Sequence, residues 1–415
     1  MTSPSIDERL AAAGLPQLPR RVWAEIDEDA LAGNVAVFRE KIGPDRELNA
    51  VVKADAYGHG LVPVARVFER AGVNRLCVAS LDEGLALRAA GIAAEILVLF
   101  KVPAHALAEA ARNGIQISVT DAGTLAALEQ PADSPDDLVV AQVEVETGLT
   151  RGGFKPDEIP GVLRRVRRSR RALGPIAVWT HIASPDDASA TRAQVSAFEH
   201  AVELAQAAGE FVGVTRHAAA TGGLLAGRVP LYEGVRIGLG LYGLLPLDLP
   251  IAAELRGHAE RLRPAMAIKC LPIRVDSFPA GTPVSYGGRW VAQRPSHIAT
   301  LPIGYGDGWA RAYSGLAGAL VRGQRVPLVG SVAMDAVMAD VTDVGDVGGD
   351  DEFVLLGSQN GSEIVTNELA RVRTTIPWEI VTSMAYRLPR VYHAGPVLKG
   401  LRTLAGEARV GSTAA

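Results

Sequence analysis

The stretch LNAVVKADAYGHGLVPVARVFERAGVNRLCVAS, residues 48–80, contains one full repeat of the pattern that decides the fold. It opens with a short apolar run that ends at Lys53, and it closes with a second such run, Leu76–Ser80. Between these two runs, the apolar residues of Leu61–Ala71 recur at three- and four-residue spacing, which is typical of an amphipathic helix. A strand, a helix and a second strand in this order predict one unit of a parallel α/β fold.

The same alternation continues to about Gly243. Including Leu48–Lys53 and Leu76–Ser80 there are eight strand candidates, and the other six are Glu95–Phe100, Ile115–Thr120, Leu138–Glu146, Ile176–Ile182, Phe211–His217 and Gly234–Leu239. Further helix-like segments lie between them, among them Asp82–Ala90, Ala104–Asn113 and Ala193–Ala208. Eight strands with intervening helices predict a TIM-type (β/α)8 barrel. A doubly wound open sheet is the alternative, and the repeat count favours closure.

After about Pro250, short alternating segments with Gly and Pro between them replace the helical pattern. These segments are Met266–Val275, Thr282–Tyr286, His297–Pro302, Leu320–Leu328, Ala336–Val341 and Asp351–Leu356. They predict a mainly β C-terminal domain. We expect the barrel at residues 20–255, the β domain at 256–400, and tails at 1–19 and 401–415, with the final GEARVGSTAA frayed. The strand-like Arg21–Ile26 fits either domain.

The composition narrows the class of protein. A chain of 415 residues is long enough for two domains, and its net charge of −4 favours neither nucleic acid nor an anionic membrane as a partner. The basic run Arg164–Arg171 is interpreted as the solvated end of a helix. The two cysteines, Cys77 and Cys270, lie in apolar stretches, so we expect two buried thiols, no disulfide and no metal site. Without a signal peptide or a membrane-spanning run, we expect a soluble, cytoplasmic protein.

Lys53 is the first candidate for chemistry. Reactive groups of such barrels collect at the carboxyl ends of the strands, where Lys53 falls. Burial lowers the pKa of a lysine and favours the nucleophilic amine. Spacing alone favours the plainer interpretation, a strand-end lysine that reaches solvent.

The motif around Lys53 favours a chemical role over the plainer interpretation. VVKADAYGHG resembles the cofactor-lysine signature of alanine racemases, and the similarity recurs in order from about Trp23 to Tyr392. It includes ETGLTRGG (146–153), THIA (180–183), RHAAATGG (216–223), VRIGLGLYG (235–243), VSYGG (284–288), LPIGYGDGW (301–309), VAMD (332–335) and YRLPRVY (386–392). The resemblance implies a pyridoxal-phosphate-dependent racemase of a small amino acid, most simply L-alanine to D-alanine.

The resemblance also implies roles for individual residues. Lys53 would carry pyridoxal phosphate covalently and act as a base on one face of it, and Tyr305 would be the base on the opposite face. A tyrosine base needs nearby positive charge or hydrogen-bond donors, which His181 and Arg236 would supply. Arg236 would also be the partner of the cofactor ring nitrogen and keep that nitrogen unprotonated, which disfavours side reactions such as transamination.

The remaining implied contacts concern the phosphate and the substrate. The phosphate would bind at a helix start formed by Thr221 with Gly222 and Gly223. Other implied phosphate contacts are the amides of Gly238 and Leu239 and the side chains of Tyr57 and Tyr392. The substrate carboxylate would meet the Arg151 side chain and the backbone amide of Met334.

The chain differs from the family pattern in three places. Glu144 stands where many alanine racemases have a carbamylated lysine, seven residues before the arginine. An asparagine–serine pair is replaced by Ala220-Thr221, and an aspartate before Thr147 by Glu146. Glu144 keeps a negative charge that can orient Arg151 without carbon dioxide. Together the changes leave open a racemase of serine or of a broader set of amino acids.

Two other functions fit parts of the pattern. A basic-amino-acid decarboxylase of the same cofactor class would share the barrel and the β domain, but it would need a Gly-rich phosphate loop and a catalytic cysteine. A non-catalytic cofactor carrier resembles only the barrel, so the domain with Tyr305 argues against it. The resemblance further implies a homodimer in which the second domain of one subunit completes the site of the other.

Overall fold

The computed structural model describes residues 4–411. The chain divides into two compact units. The first, which we call the sheet unit, comprises the residues up to Ala30, Tyr57–Gly60 and the residues from Pro264 onward; the second, the barrel unit, comprises Leu31–Ala56 and Leu61–Arg263. Lys53 belongs to the barrel unit and Tyr305 to the sheet unit.

The barrel unit is a closed barrel of eight parallel strands. The strands are β2 Glu47–Val51, β3 Arg75–Val78, β4 Glu95–Val98, β5 Ile115–Val119, β6 Val139–Glu144, β7 Ala172–Trp179, β8 Thr215–His217 and β9 Gly234–Ile237. Closure is made by β9, which pairs in parallel with β2 and sets Val235 opposite Leu48. The predicted barrel is therefore confirmed and the open-sheet alternative is wrong.

At least one helix follows each barrel strand. These are α3 Lys53–Tyr57, α4 Leu61–Arg70, α5 Leu81–Ala89, α6 Leu107–Arg112, α7 Ala122–Glu129, α8 Ile159–Arg167, α9 Ala188–Ala207, α10 Thr221–Leu225 and α11 Arg256–Glu260. The basic run begins in the exposed last turn of α8, where Arg164 pairs with Glu210 and Arg165 with Glu129, as expected of a solvated helix end. The interpretation of the basic run as a solvated helix end is confirmed.

The sheet unit is built on a twelve-stranded sheet. Its strands are β1 Val22–Asp27, β10 Met266–Cys270, β11 Arg274–Phe278, β14 Ser296–Leu301, β15 Gly318–Val321, β16 Gln324–Val329, β17 Val337–Asp340, β18 Phe353–Gln359, β19 Ser362–Ile364, β20 Arg390–Ala394, β21 Val397–Thr403 and β22 Gly406–Arg409. A separate hairpin pairs β12 Pro283–Val284 with β13 Trp290–Val291. The mainly β character is confirmed, and β1 belongs here because it pairs with β10 and β20.

Helices complete the sheet unit and correct one expectation about the chain ends. They are α1 Ile6–Ala12, α12 Thr366–Arg373 and α13 Pro377–Thr382, while α2 Glu28–Ile42 begins in this unit and continues into the barrel unit. Ile6 and Leu10 of α1 are buried with Trp23 and Leu401, so this part of residues 1–19 is packed core. The prediction of a frayed C-terminus is wrong for Gly406–Arg409, because β22 pairs with β21; residues 1–3 and 412–415 lie outside the described part.

Both cysteines are free and fully buried. Burial raises the pKa of the Cys77 thiol to about 11 and that of Cys270 further still. Among residues 4–411, no group of His, Cys, Asp and Glu side chains is arranged to bind a metal ion. Within the same range, every helix is too short or too polar to cross a membrane.

Candidate active site

The first barrel strand delivers Lys53 at its carboxyl end, directly before an unusual turn. Ala54, Asp55 and Ala56 all have left-handed backbone angles, with φ between 52° and 55°. Each such residue costs about 1–2 kcal/mol, so this backbone conformation persists only where surrounding contacts hold it in place. The Glu83 carboxylate provides such contacts, because it accepts the amide of Ala54 at 2.6 Å and that of Ala79 at 2.8 Å. The turn after Lys53 is therefore tied to the end of the next strand.

Lys53 lies in an environment that weakens its hold on a proton. Its Nζ is 5.6 Å from the ring centroid of Phe100, and the Arg151 guanidinium carbon is 5.0 Å from the same centroid. Burial lowers the pKa of Lys53, the positive charges of Arg151 and Arg236 lower it further, and the charge of Glu83 opposes them. A larger fraction of neutral amine makes Lys53 a better nucleophile and base.

Arg236 is a buried cation with both terminal nitrogens bonded to the protein. One nitrogen donates to His217 Nδ1 at 2.6 Å and to the His217 carbonyl at 2.9 Å, and the other donates to the Thr180 carbonyl at 2.6 Å. The guanidinium lies 4.7 Å from the ring centroid of Trp179, and the Trp179 and His217 rings stack at 15°. Burial lowers the pKa of Arg236 to about 10, so the side chain stays protonated at neutral pH.

His181 follows β7 and is neutral at physiological pH. Burial lowers its pKa to about 3, and the charges of Arg236, Arg151 and Lys53 act in the same direction. Of the two contributions expected from His181, positive charge is therefore excluded. The neutral imidazole still has one N–H that can donate a hydrogen bond.

Glu144 and Arg151 form an ion pair at the end of β6. The guanidinium donates to the carboxylate at 3.1 Å, and the Glu144 side chain is only 5% exposed. Burial raises the pKa of Glu144, while Arg151 acts against that rise. The negative charge that the sequence places seven residues before Arg151 does contact it.

The loops after the last two barrel strands contain the predicted phosphate residues. The helix α10 begins at Thr221, which is buried, and its hydroxyl oxygen accepts the Gly240 amide at 3.1 Å. Leu239, also buried, begins the one-turn 3-10 helix Leu239–Tyr242, and Gly238 directly precedes it. Thr221 and the segment after Gly238 are therefore linked to each other.

In the sheet unit, Tyr305 and Met334 lie side by side on adjoining loops. The Tyr305 amide donates to the Ala333 carbonyl at 3.0 Å, and the next amide, that of Gly306, donates to the Met334 carbonyl at 2.9 Å. A Cβ on Gly304 would clash with the Ala333 carbonyl, so the close approach of these loops requires glycine there. The Tyr305 and Met334 residues are 44% and 52% exposed, which leaves both accessible in the single chain.

Tyr57 and Tyr392 meet within the same unit through His59. The Tyr392 hydroxyl donates to the His59 carbonyl at 3.1 Å, and His59 Nδ1 lies 2.9 Å from the Tyr57 carbonyl. Both tyrosines are buried. In the barrel unit, Arg151, Arg236 and His181 thus lie near Lys53, and Thr221 adjoins the segment after Gly238; the sheet unit holds the other predicted site residues as two pairs.

Sequence reasoning missed several residues of these groups. Phe100 was assigned only to a strand, and Glu83 only to a helix. Gln116 of β5 and Gln142 of β6 are buried and in contact at 2.7 Å, and a glutamine inside an apolar strand could have indicated this contact, because a buried amide needs a partner. Trp179 had no comparable signal.

The fold and this site define a (β/α)8-barrel enzyme with an activated lysine at the carboxyl end of its first strand. The alanine racemase N-terminal domain model matches residues 26–246, and the alanine racemase C-terminal domain model matches residues 265–392. The chain is 39% identical to an alanine racemase of Desulfosudis oleivorans over 384 residues, which cover 90% of this chain and 97% of that protein.

The comparison with solved structures agrees with these sequence comparisons. An alanine racemase of Clostridium difficile superimposes with a TM-score of 0.85 at 28% identity, covering 93% of this chain and 99% of that one. One from Bacillus anthracis with bound L-Ala-P gives a TM-score of 0.84 at 31% identity, covering 94% and 99%. The chain belongs to the alanine racemase family.

Proposed function

We propose that this chain racemises alanine, with pyridoxal phosphate bound covalently to Lys53. The observation that carries the proposal is the state of that lysine. It stands at a barrel strand end beside Phe100, and burial together with the charges of Arg151 and Arg236 lowers its pKa. A neutral amine is the form that reacts with an aldehyde cofactor.

The donors of the barrel unit fit this cofactor. Lys53 offers the amine, and Arg236 is a fixed cation that would donate to the ring nitrogen. For the phosphate we propose the Thr221 hydroxyl with the amides of Gly238 and Leu239, and the resemblance adds Tyr57 and Tyr392, which belong to the sheet unit. His181 would donate a hydrogen bond from its neutral imidazole. When bound, pyridoxal phosphate withdraws electrons from the Cα–H bond of an amino acid and makes that hydrogen acidic.

Inversion at Cα needs a base on each side of the substrate. We assign one side to Lys53 Nζ and the other to Tyr305 Oη, each of which removes the Cα proton in one direction and returns it in the other. Arg151 and the Met334 amide would orient the substrate carboxylate. In this assignment one base, Lys53, comes from the predicted barrel, residues 20–255, and the other, Tyr305, comes from the predicted β domain, residues 256–400.

Alanine is the preferred substrate in this proposal because many relatives carry the name alanine racemase and the Bacillus anthracis structure contains L-Ala-P. The changes at Glu144, Glu146 and Ala220 make serine or a broader set the second candidate. The test is incubation of cofactor-loaded protein with a panel of L-amino acids in D2O, followed by chiral chromatography and mass spectrometry. D-alanine with deuterium at Cα is expected. Inversion of serine instead would identify serine as the substrate and leave the mechanism unchanged. No exchange at Cα with any amino acid would refute racemase activity.

The same incubation separates racemisation from decarboxylation. A decarboxylase would release CO2, and its catalytic cysteine would have to be accessible. Both cysteines of this chain are buried and their thiol pKa values are raised, which argues against that role. Buried free thiols also support our proposal of a cytoplasmic location, which cell fractionation tests.

We further propose a homodimer with shared active sites. The exposure of Tyr305 and Met334 in the single chain supports a partner that covers them. Mixing Lys53→Ala with Tyr305→Phe protein should restore part of the activity, because one site of the mixed dimer would have both bases. No restoration in verified mixed dimers would contradict shared sites.

A further inference from the structure

A chain of hydrogen bonds runs through the barrel unit from Arg236 to Glu95. Arg236 contacts His217 Nδ1 at 2.6 Å, and His217 Nε2 lies 2.7 Å from the Gln142 side-chain oxygen. The Gln142 amide nitrogen is 2.7 Å from the Gln116 oxygen, and the Gln116 nitrogen is 3.0 Å from the Glu95 carboxylate. His217, Gln142 and Gln116 are buried, whereas the Glu95 side chain is 56% exposed.

The two ends determine the direction of every bond in this chain. A carboxylate only accepts hydrogen bonds and a guanidinium only donates them. Gln116 must therefore turn its nitrogen to Glu95 and its oxygen to Gln142, which in turn must present its oxygen to His217. His217 then donates from Nε2 and accepts from Arg236 at Nδ1. Only one arrangement leaves all five groups satisfied.

This arrangement defines the protonation state of His217. The imidazole is neutral and its proton is on Nε2, because Nδ1 faces a permanent donor and Nε2 faces the Gln142 oxygen, an acceptor that needs that proton. Burial and the charges of Arg236 and Arg75 lower the pKa of His217 well below its usual value, which agrees with the geometry. Moving the proton to Nδ1 would set two donors against each other at 2.6 Å and break the main side-chain contact of Arg236.

We propose that Gln142, supported by Gln116 and Glu95, is a positioning residue that selects the Nε2–H tautomer of His217 and thereby holds Arg236 toward the cofactor ring. The inference rests on the proposed function for the role of Arg236, but the tautomer depends only on the barrel. Gln142 acts through two intervening side chains and does not contact the reacting atoms.

Two methionine substitutions test the proposal. Gln142→Met removes the acceptor of His217 at similar side-chain volume. Gln116→Met leaves that contact but frees Gln142 to turn its amide around. The control is Ser118→Ala, because Ser118 lies two residues from Gln116 on the same face of β5 and donates only to the Val98 carbonyl at 2.8 Å. Protein labelled with 15N-histidine reports the tautomer, and His217→Gln identifies the His217 signals by their loss.

We expect a single Nε2–H tautomer in the unsubstituted protein and in Ser118→Ala, and a mixture in both methionine variants. The absorbance of the bound cofactor against pH should change in the same two variants, and kcat should fall about tenfold in Gln142→Met, which corresponds to about 1.4 kcal/mol. An unchanged tautomer in both would overturn the proposal, as would a changed tautomer with unchanged absorbance and kcat. If the unsubstituted protein racemises nothing, the proposed function fails, while the tautomer and absorbance still decide this inference.

Discussion

The Arg151 guanidinium donates to the Glu144 carboxylate across 3.1 Å, and the same guanidinium lies 5.0 Å from the Phe100 ring centroid. The two contacts hold Arg151 next to Lys53. The Glu144 side chain is 5% exposed and that of Arg151 is 31% exposed, so the carboxylate is shielded from solvent and the guanidinium is partly accessible. Such a pair orients a cation toward an incoming carboxylate.

Replacing Glu144 by Ala should therefore raise KM for alanine about tenfold, equivalent to about 1.4 kcal/mol, with a smaller change in kcat. Steady-state kinetics in both directions measure the change. Glu129→Ala, which breaks the exposed pair with Arg165, is the matched control and should leave KM unchanged. The unsubstituted enzyme should be equally active in CO2-depleted buffer. A KM that does not move in Glu144→Ala contradicts the orienting role.

Asp307→Ala should destabilise the protein and displace Tyr305. Asp307 is fully buried, accepts from Arg20 at 2.6 Å and lies 2.8 Å from Arg387, and also accepts the Gly304 amide. Removing the carboxylate takes the shared partner from two partly exposed cations and leaves the buried Gly304 amide without its acceptor, at a cost of about 1–3 kcal/mol. Urea unfolding measures the loss, and kcat should fall with it. Asp335→Ala removes an exposed partner of Arg387 and should cost about 1 kcal/mol or less. Equal losses in the two variants would rule out this role.

The state of His181 predicts a dependence of stability on pH. Its pKa is about 3 in the folded protein and about 6.5 when unfolded, so the unfolded chain binds the proton first. The free energy of unfolding should fall as pH drops below 6.5 and continue to fall toward pH 3. Between pH 7 and pH 5.5, His181→Gln should lose about 1 kcal/mol less than the unsubstituted protein in urea unfolding. Exposed His105→Gln is the control, and parallel losses in all three proteins would contradict the lowered pKa of His181.

Gly58→Ala should lower the melting temperature sharply. Gly58 has a φ of 78°, and a Cβ there would clash with the Val381 carbonyl. The backbone conformation alone costs about 1–3 kcal/mol for a residue with a side chain, and the clash adds to it. Gly33→Ala, on the exposed face of α2 with no atom near the new Cβ, should raise the melting temperature slightly instead. A melting temperature for Gly58→Ala within a degree of the unsubstituted protein would contradict the close approach.

Much of the fold could be predicted from the sequence. All eight predicted barrel strands exist, because apolar runs alternating with amphipathic helices report which residues are buried along each element. The wrong predictions lie in segments where hydrophobic periodicity carries little information. The segment β22 has no buried residue, and it is a strand only because β21 offers a free edge. The segment β1 was expected to be a strand, but the sequence left its domain open, because its place depends on the pairing with β10 and β20.

For the site, the sequence alone shows which residues are available: Lys53 at a strand end, the seven-residue spacing of Glu144 and Arg151, and the glycines after Thr221. The protonation states and hydrogen-bond partners of the site residues depend on the folded structure. His217 and Gln142 are 75 positions apart, and Arg20 and Asp307 are 287 apart, yet each pair is in contact. Proton affinity depends on desolvation and on charges through space, and hydrogen bonds depend on distance and direction. Neither is encoded in local periodicity, so the neutrality of His181 and the tautomer of His217 emerge only when the barrel closes.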